Sequence, residues 1–105
     1  MSLSDAVNHL HDGMEHMALS GDSLQGRLAH AYTRDFVHVD PADLPGDLRT
    51  EWEDLTRTLT RMQGPPWHDA VHASTAHMSD AEARGAIRRI FSLAERLTVL
   101  MIPRL

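Results

Sequence analysis

Residues 48–62 read LRTEWEDLTRTLTRM, and this stretch decides the fold class. Its apolar side chains are spaced by four and three positions in turn. They are Leu48, Trp52, Leu55, Leu59 and Met62. Because an α-helix has about 3.6 residues per turn, this spacing places all five on one face. The stretch therefore predicts an amphipathic helix of about four turns.

The same helical spacing recurs on both sides of this stretch. Residues 3–18 repeat apolar side chains every three or four positions, and a second stripe runs over residues 24–36. A short helix is predicted over residues 67–77, after the break QGPPW. The last helix is predicted to begin after Ser79 and to end near Met101.

Capping residues predict where these helices start and stop. Gly21 is suited to the left-handed position beyond the end of the first helix. Asp22, with Gln25 three residues later, predicts a capping box for the second. Asp40 before Pro41 predicts a single helical turn. The last helix has a further predicted capping box, formed by Ser79 and Glu82.

These elements predict one all-α domain over residues 1–105. The expected architecture is a small irregular bundle of four main helices plus one short helix, with antiparallel neighbours joined by short connections. The predicted core consists of Leu28, Tyr32, Trp52, Leu55, Leu59, Ile87, Ile90 and Leu97.

Composition indicates a globular protein. Of its 105 residues, 42% are hydrophobic, and its net charge is −5 with histidine neutral. The absence of cysteine excludes disulfides, thiolate metal ligands and a cysteine nucleophile. Arginine without lysine, together with abundant alanine, indicates a bacterial source. The sequence shows neither a secretory signal nor a membrane-spanning apolar run, so we expect a cytoplasmic protein that does not associate with a membrane.

GDSL at residues 21–24 and DAVH at residues 69–72 repeat the letters of the serine and histidine blocks of GDSL-type hydrolases. A serine nucleophile of that kind sits on a sharp turn after a buried strand, beside an oxyanion hole. The residues before Ser23 have a helical pattern, and the only asparagine is Asn8. We interpret the match as a coincidence at a helix boundary, and we predict no catalytic residue.

HDAVH at residues 68–72 places His68 and His72 one helical turn apart, where both rings can face one metal ion. Asp69 occupies the position of the glutamate in the H-E-x-x-H motif of zinc proteases. A two-histidine site needs further ligands from elsewhere in the chain. A surface or half-buried pair is the simpler interpretation, and a structural or adventitious metal site is the alternative.

The first helix carries a second group of histidines. At about 100° per residue, its histidines and aspartates fall on the polar side and its methionines on the apolar side. The polar group is Asp5, His9, Asp12 and His16. A solvated surface is the simpler interpretation. The alternatives are a weak Zn²⁺, Ni²⁺ or Cu²⁺ site, or an interface that responds to pH because histidines titrate near pH ~6.5.

Arg84, Arg88 and Arg89 form a basic patch on the last helix. A DNA-reading helix presents such residues near its N-terminus. Here Asp80 and Glu82 come first and would meet the phosphates. The negative net charge also gives no electrostatic basis for binding nucleic acid. A DNA-associated regulator is therefore the weakest alternative.

Three segments together resemble a group of small bacterial proteins. They read LQGRLAHAY at residues 24–32, DLPGDLR at residues 43–49 and MSDAEA at residues 78–83. The resemblance covers roughly residues 23–98. It implies a helical fold and a bacterial origin, and it implies no reaction. HASTAH at residues 72–77 departs from the more apolar or small run of that group.

LTVLMI at residues 97–102 is apolar around most of the helix circumference. Such a helix end is usually buried on several sides, and in so small a chain a second copy is the expected cover. The leading hypothesis is a non-catalytic accessory or regulatory protein that needs no cofactor, binds a protein partner and forms a homodimer. The alternative is a metal- or pH-sensing protein. The predicted interface is Leu97, Leu100, Met101 and Ile102.

Overall fold

The computed structural model describes residues 2–64 and 69–102, and neither range contains a strand. Two single 3₁₀ turns, Phe36–His38 and Pro41–Asp43, join the second helix to the third. The prediction of an all-α fold with four main helices and a short one is confirmed. Within the described residues, no helix is both long and apolar enough to cross a bilayer. The helices are α1 (Leu3–Leu19), α2 (Leu24–Arg34), α3 (Gly46–Thr60), α4 (Ala70–Ala76) and α5 (Asp80–Leu100).

Two of the predicted caps are confirmed by hydrogen bonds. The hydroxyl of Ser79 accepts the Glu82 amide hydrogen, and the Glu82 carboxylate accepts the Ser79 amide hydrogen, which completes the capping box of α5. The Asp40 carboxylate accepts the Ala42 amide hydrogen at the start of the Pro41 turn. Both caps satisfy amides that have no partner within their own helix.

The predicted start of α2 is wrong by one residue. Ser23, not Asp22, is the N-cap, and its hydroxyl accepts the amide hydrogen of Gly26 at 3.1 Å. Gly26 thereby takes the third helical position, so Gln25 has no reciprocal bond to make and instead donates to the Met78 carbonyl. Gly21 was also expected to be left-handed, but no glycine among the described residues has a positive φ.

The centre of the core is an aromatic pair. The rings of Phe36 and Trp52 meet edge to face with centroids 6.0 Å apart, and both are almost completely buried. Gly13 of α1 lies directly against the Phe36 ring, where no side chain fits. This close approach brings α1 onto the segment between α2 and α3.

Most of the predicted core is buried. Tyr32 and Ile87 are exceptions, because they are only partly buried and pack against the edge of the core. Burial raises the pKa of the Tyr32 hydroxyl. The fully buried members are Leu28, Trp52, Leu55, Leu59, Ile90 and Leu97, and Leu10, Phe36, Leu44 and Leu93 are buried beside them.

The short helix α4 packs against α2 and α3, and two of its four buried residues are small and polar. Ser74 and Thr75 are buried, although polar side chains usually avoid the interior. The Ser74 hydroxyl accepts the Met62 amide hydrogen at 2.9 Å, and the Thr75 hydroxyl donates to the Val71 carbonyl at 2.9 Å. Because both hydroxyls are bonded, their burial carries little desolvation penalty.

Candidate functional site

The end of α5 exposes a run of apolar side chains, which we call the α5-end surface: Val99, Leu100, Met101 and Ile102. Their exposed fractions are 58%, 52%, 42% and 61%. Scattered exposed apolar residues are ordinary, but a contiguous patch usually marks a binding surface. Three of the four predicted interface residues therefore lie where a partner could contact them.

Leu97 corrects that prediction. Its exposed fraction is 0%, and it belongs to the core together with Leu93 and Ile90. Those residues precede it by four and seven positions and therefore share its helix face. Leu97 consequently packs within its own chain and is not part of the α5-end surface.

A groove of about 520 Å³ adjoins the α5-end surface, between the start of α3 and the end of α5. Its lining is mainly apolar and carries charges of both signs. The apolar lining residues are Pro45, Leu48, Val99 and Leu100, and the charged ones are Asp47, Glu95 and Arg96.

The histidines of α1 contact three different elements. His16 Nδ1 lies 2.5 Å from the carboxylate of the buried Asp35, at the end of α2. The His9 ring centroid is 5.6 Å from that of His38, and His11 Nε2 is 3.2 Å from the Thr98 hydroxyl of α5. His9 and His16 are about 10 Å apart along the helix, so the structure does not join them in one site.

The predicted pair His68 and His72 is only partly described, because His68 lies outside the described residues. Asp69 caps α4 by accepting the His72 amide hydrogen, and the same carboxylate oxygen lies 2.8 Å from His72 Nδ1. The ring that accompanies His72 is that of His30 on α2, with centroids 5.7 Å apart. Sequence spacing contains no signal for this pair, because the contact exists only once α2 packs on α4.

No group of three or more histidine, aspartate or glutamate residues in residues 2–64 and 69–102 is arranged to hold a metal ion. Five described histidines instead pair with a carboxylate or with a second imidazole, namely His9, His16, His30, His38 and His72.

The two segments that match the hydrolase letters lie close together. Ser23 and His72 both line a cavity of about 370 Å³ between α2 and α4. Ser23 follows α1 rather than a strand, and its oxygen accepts the Gly26 amide hydrogen as the α2 cap. The GDSL letters thus coincide with a helix start, although the cap is the serine rather than the predicted aspartate.

The basic patch on α5 is partly neutralised by α3. Arg89 donates to Asp54 at 2.8 Å and to Glu51 at 3.1 Å. Hydrogen bonds from Arg89 and then Arg57 lower the pKa of the Asp54 carboxyl, and the bond to Asp54 raises the pKa of the Arg89 guanidinium. Because its charge is already paired with two carboxylates of α3, Arg89 contributes little to a phosphate-binding surface.

Comparison with known proteins adds no relative: the chain matches no protein-family model, no curated protein and no solved structure. Its function is therefore inferred from the geometry of its own surfaces.

Proposed function

We propose that this chain is a non-catalytic accessory or regulatory protein of the bacterial cytoplasm that forms a homodimer through the α5-end surface. The observation that carries the proposal is the exposure of four consecutive apolar residues, Val99 to Ile102, in the last turn of α5 and directly after it. Removing apolar surface from water contributes about 25 cal/mol per Å². Covering this patch is thus a favourable source of association energy.

A second copy is favoured as the cover because the adjoining groove carries charges of both signs. The groove combines Arg96 with the carboxylates of Asp47 and Glu95 around apolar walls. In a twofold dimer the same patch meets itself, so Arg96 of one copy can face a carboxylate of the other. Mixed charges of this kind favour a fixed orientation more than they add affinity.

The expected interface is larger than the α5-end surface alone. A stable interface buries about 800 Å² per partner, which four partly exposed aliphatic side chains do not supply. The groove walls and Phe91 are the expected additions. Phe91 is 43% exposed and precedes Val99 by eight residues, which places the two within about 80° of each other around the helix.

The test compares one substitution at two helix ends. Val99→Asp places a charge in the α5-end surface, whereas Leu19→Asp places it in the last turn of α1, at a residue that is 78% exposed. Both sites are in a last turn, so the unfavourable effect of a carboxylate on the helix dipole is matched. Light scattering should give 2 × 11.8 = 23.6 kDa for the wild type and Leu19→Asp, and 11.8 kDa for Val99→Asp.

Two results would contradict the proposal. One is a wild-type mass of 11.8 kDa at every concentration up to about 1 mM. This range includes dimers with a binding free energy as weak as about −4 kcal/mol. The other is a dimer that persists in Val99→Asp and dissociates in Leu19→Asp. Circular dichroism of each variant checks that the helices are retained.

A further inference from the structure

Two histidines from different helices meet on the surface that joins α2 to α4. His30 lies in α2 and His72 in the first turn of α4, with ring centroids 5.7 Å apart and planes inclined at 60°. We propose that His30 and His72 together bind one divalent transition-metal ion, Cu²⁺, Ni²⁺ or Zn²⁺. This site is separate from the α5-end surface, and the proposal does not depend on dimerisation.

The ring separation fits a shared ion. Two imidazoles that coordinate one tetrahedral ion through nitrogens at about 2.0–2.1 Å place their ring centroids about 5 Å apart. The observed separation of 5.7 Å needs only a small side-chain adjustment. Both histidines are partly exposed, at 59% and 31% of their side-chain surface, so water has access to complete the coordination.

Each ring is also accompanied by a carboxylate on its Nδ1 side. Asp69 lies 2.8 Å from His72 Nδ1, and Asp22 lies 3.5 Å from His30 Nδ1. Histidine ligands in proteins commonly pair one ring nitrogen with a carboxylate, which orients the ring and makes the other nitrogen a stronger ligand. This arrangement assigns Nε2 of each ring to the metal ion.

The pair of His9 and His38 provides a natural comparison. Its rings are similarly close, with centroids 5.6 Å apart. Across residues 2–64 and 69–102, however, neither of these rings forms an ion pair with a carboxylate. If the carboxylates matter, the pair on α2 and α4 binds the ion more tightly than the pair of His9 and His38.

The experiment uses the untagged full chain at about pH 7.5, because a polyhistidine tag would compete and acid would protonate the imidazoles. Cu²⁺ is titrated against a chromogenic chelator, and Zn²⁺ is then used in the same assay. We expect one tight ion per chain, with Cu²⁺ bound more tightly than Zn²⁺. His30→Ala and His72→Ala should each abolish the tight site, whereas His38→Ala should leave it unchanged.

The carboxylates are tested by amide substitutions that preserve folding. Asp69→Asn retains an effective helix cap for α4, so a weaker site in this variant reflects metal binding. Asp22→Asn and Asp69→Asn should each reduce the affinity about 10–100-fold without changing the stoichiometry. The electron paramagnetic resonance of bound Cu²⁺ should show nitrogen ligation in the wild type and its loss in His30→Ala.

Three results would overturn the assignment. The first is a wild-type chain that binds no ion more tightly than the variant lacking both His30 and His72. The second is wild-type affinity in His30→Ala combined with its loss in His68→Ala, which would place the ion on the HDAVH segment alone. The third is loss of the tight site in His38→Ala, which would place it at the His9 and His38 pair.

Discussion

The two ends of α5 differ in how the rest of the chain covers them. The first turn is closed by the Ser79 and Glu82 capping box, and Arg89 ties the next turns to two carboxylates of α3. In the last turn Leu97 is buried and Thr98 contacts His11 of α1, but Val99 and Leu100 are more than half exposed. Polar contacts thus hold the start of α5 to its own chain, whereas the last residues at the other end are open to solvent.

This difference indicates separate roles for the two ends. A residue that packs within the chain contributes to folding stability, whereas an exposed apolar residue contributes only when something covers it. Substitutions in the packed part should therefore change the free energy of unfolding, and those at the open end should change association. The following predictions test that separation.

The largest expected effect comes from the same change, leucine to alanine, made at a buried and at an exposed position of α5. Leu97→Ala removes a fully buried side chain and should lower the free energy of unfolding by about 2–5 kcal/mol. Leu100→Ala, three residues later and 52% exposed, should change it by less than about 0.5 kcal/mol. Urea denaturation of dilute protein measures the free energy of unfolding of both variants. Equal losses in the two variants would contradict the distinction between a packed and an exposed part of α5.

A smaller effect on stability is expected from alanine substitutions at two glycines that differ in their surroundings. A methyl group at Gly13 would overlap the buried Phe36 ring, so Gly13→Ala should destabilise the protein by about 1–3 kcal/mol. Gly85, in the packed part of α5, has no atom within 4 Å of an added Cβ. Gly85→Ala should therefore stabilise the protein by up to about 1 kcal/mol. Thermal unfolding should show a lower melting temperature for Gly13→Ala and a higher one for Gly85→Ala. A rise in both melting temperatures would mean that the Phe36 ring does not lie against Gly13.

The smallest effect concerns the acid sensitivity of the α5 cap. Hydrogen bonds from the Ser79 amide and then from its hydroxyl lower the pKa of the Glu82 carboxyl in the folded state. The folded protein then binds this proton less readily than the unfolded chain, so the stabilisation is present at neutral pH and is lost as the pH falls below about 4. In Glu82→Gln this contribution does not titrate. The difference in stability between wild type and variant should accordingly narrow on acidification, and a constant difference between pH 7 and pH 3 would contradict this account.

Local signals in the sequence predict the helices well. The four-and-three spacing from Leu48 to Leu59 appears in the structure as the buried face of α3, and Ser79 with Glu82 forms the predicted capping box. These features depend on residues within one or two helical turns of each other. The start of α2 was predicted one residue too early, because Asp22 and Ser23 are both good capping residues and only hydrogen-bond geometry distinguishes them.

Features that depend on distant residues were not predicted. The contact between Gly13 and Phe36 and the pair of His30 and His72 both join separate helices, so no local spacing indicates them. Leu97 and Leu100 look alike in sequence, because that stretch is apolar on several sides. Helix periodicity does place Leu97 on the face of Ile90 and Leu93, but whether the other sides of this stretch are covered depends on where α1 and α3 pack against α5.

The central claim is that the α5-end surface packs against a second copy of the chain. The most direct measurement is an isotope-filtered nuclear Overhauser experiment on a mixture of labelled and unlabelled protein, which detects only contacts between copies. The account predicts contacts from the methyl groups of Val99, Leu100 or Ile102 to groove residues of the other copy, such as Leu48. Contacts confined to another exposed apolar residue, such as Leu19, or no contact between copies at millimolar concentration, would contradict it.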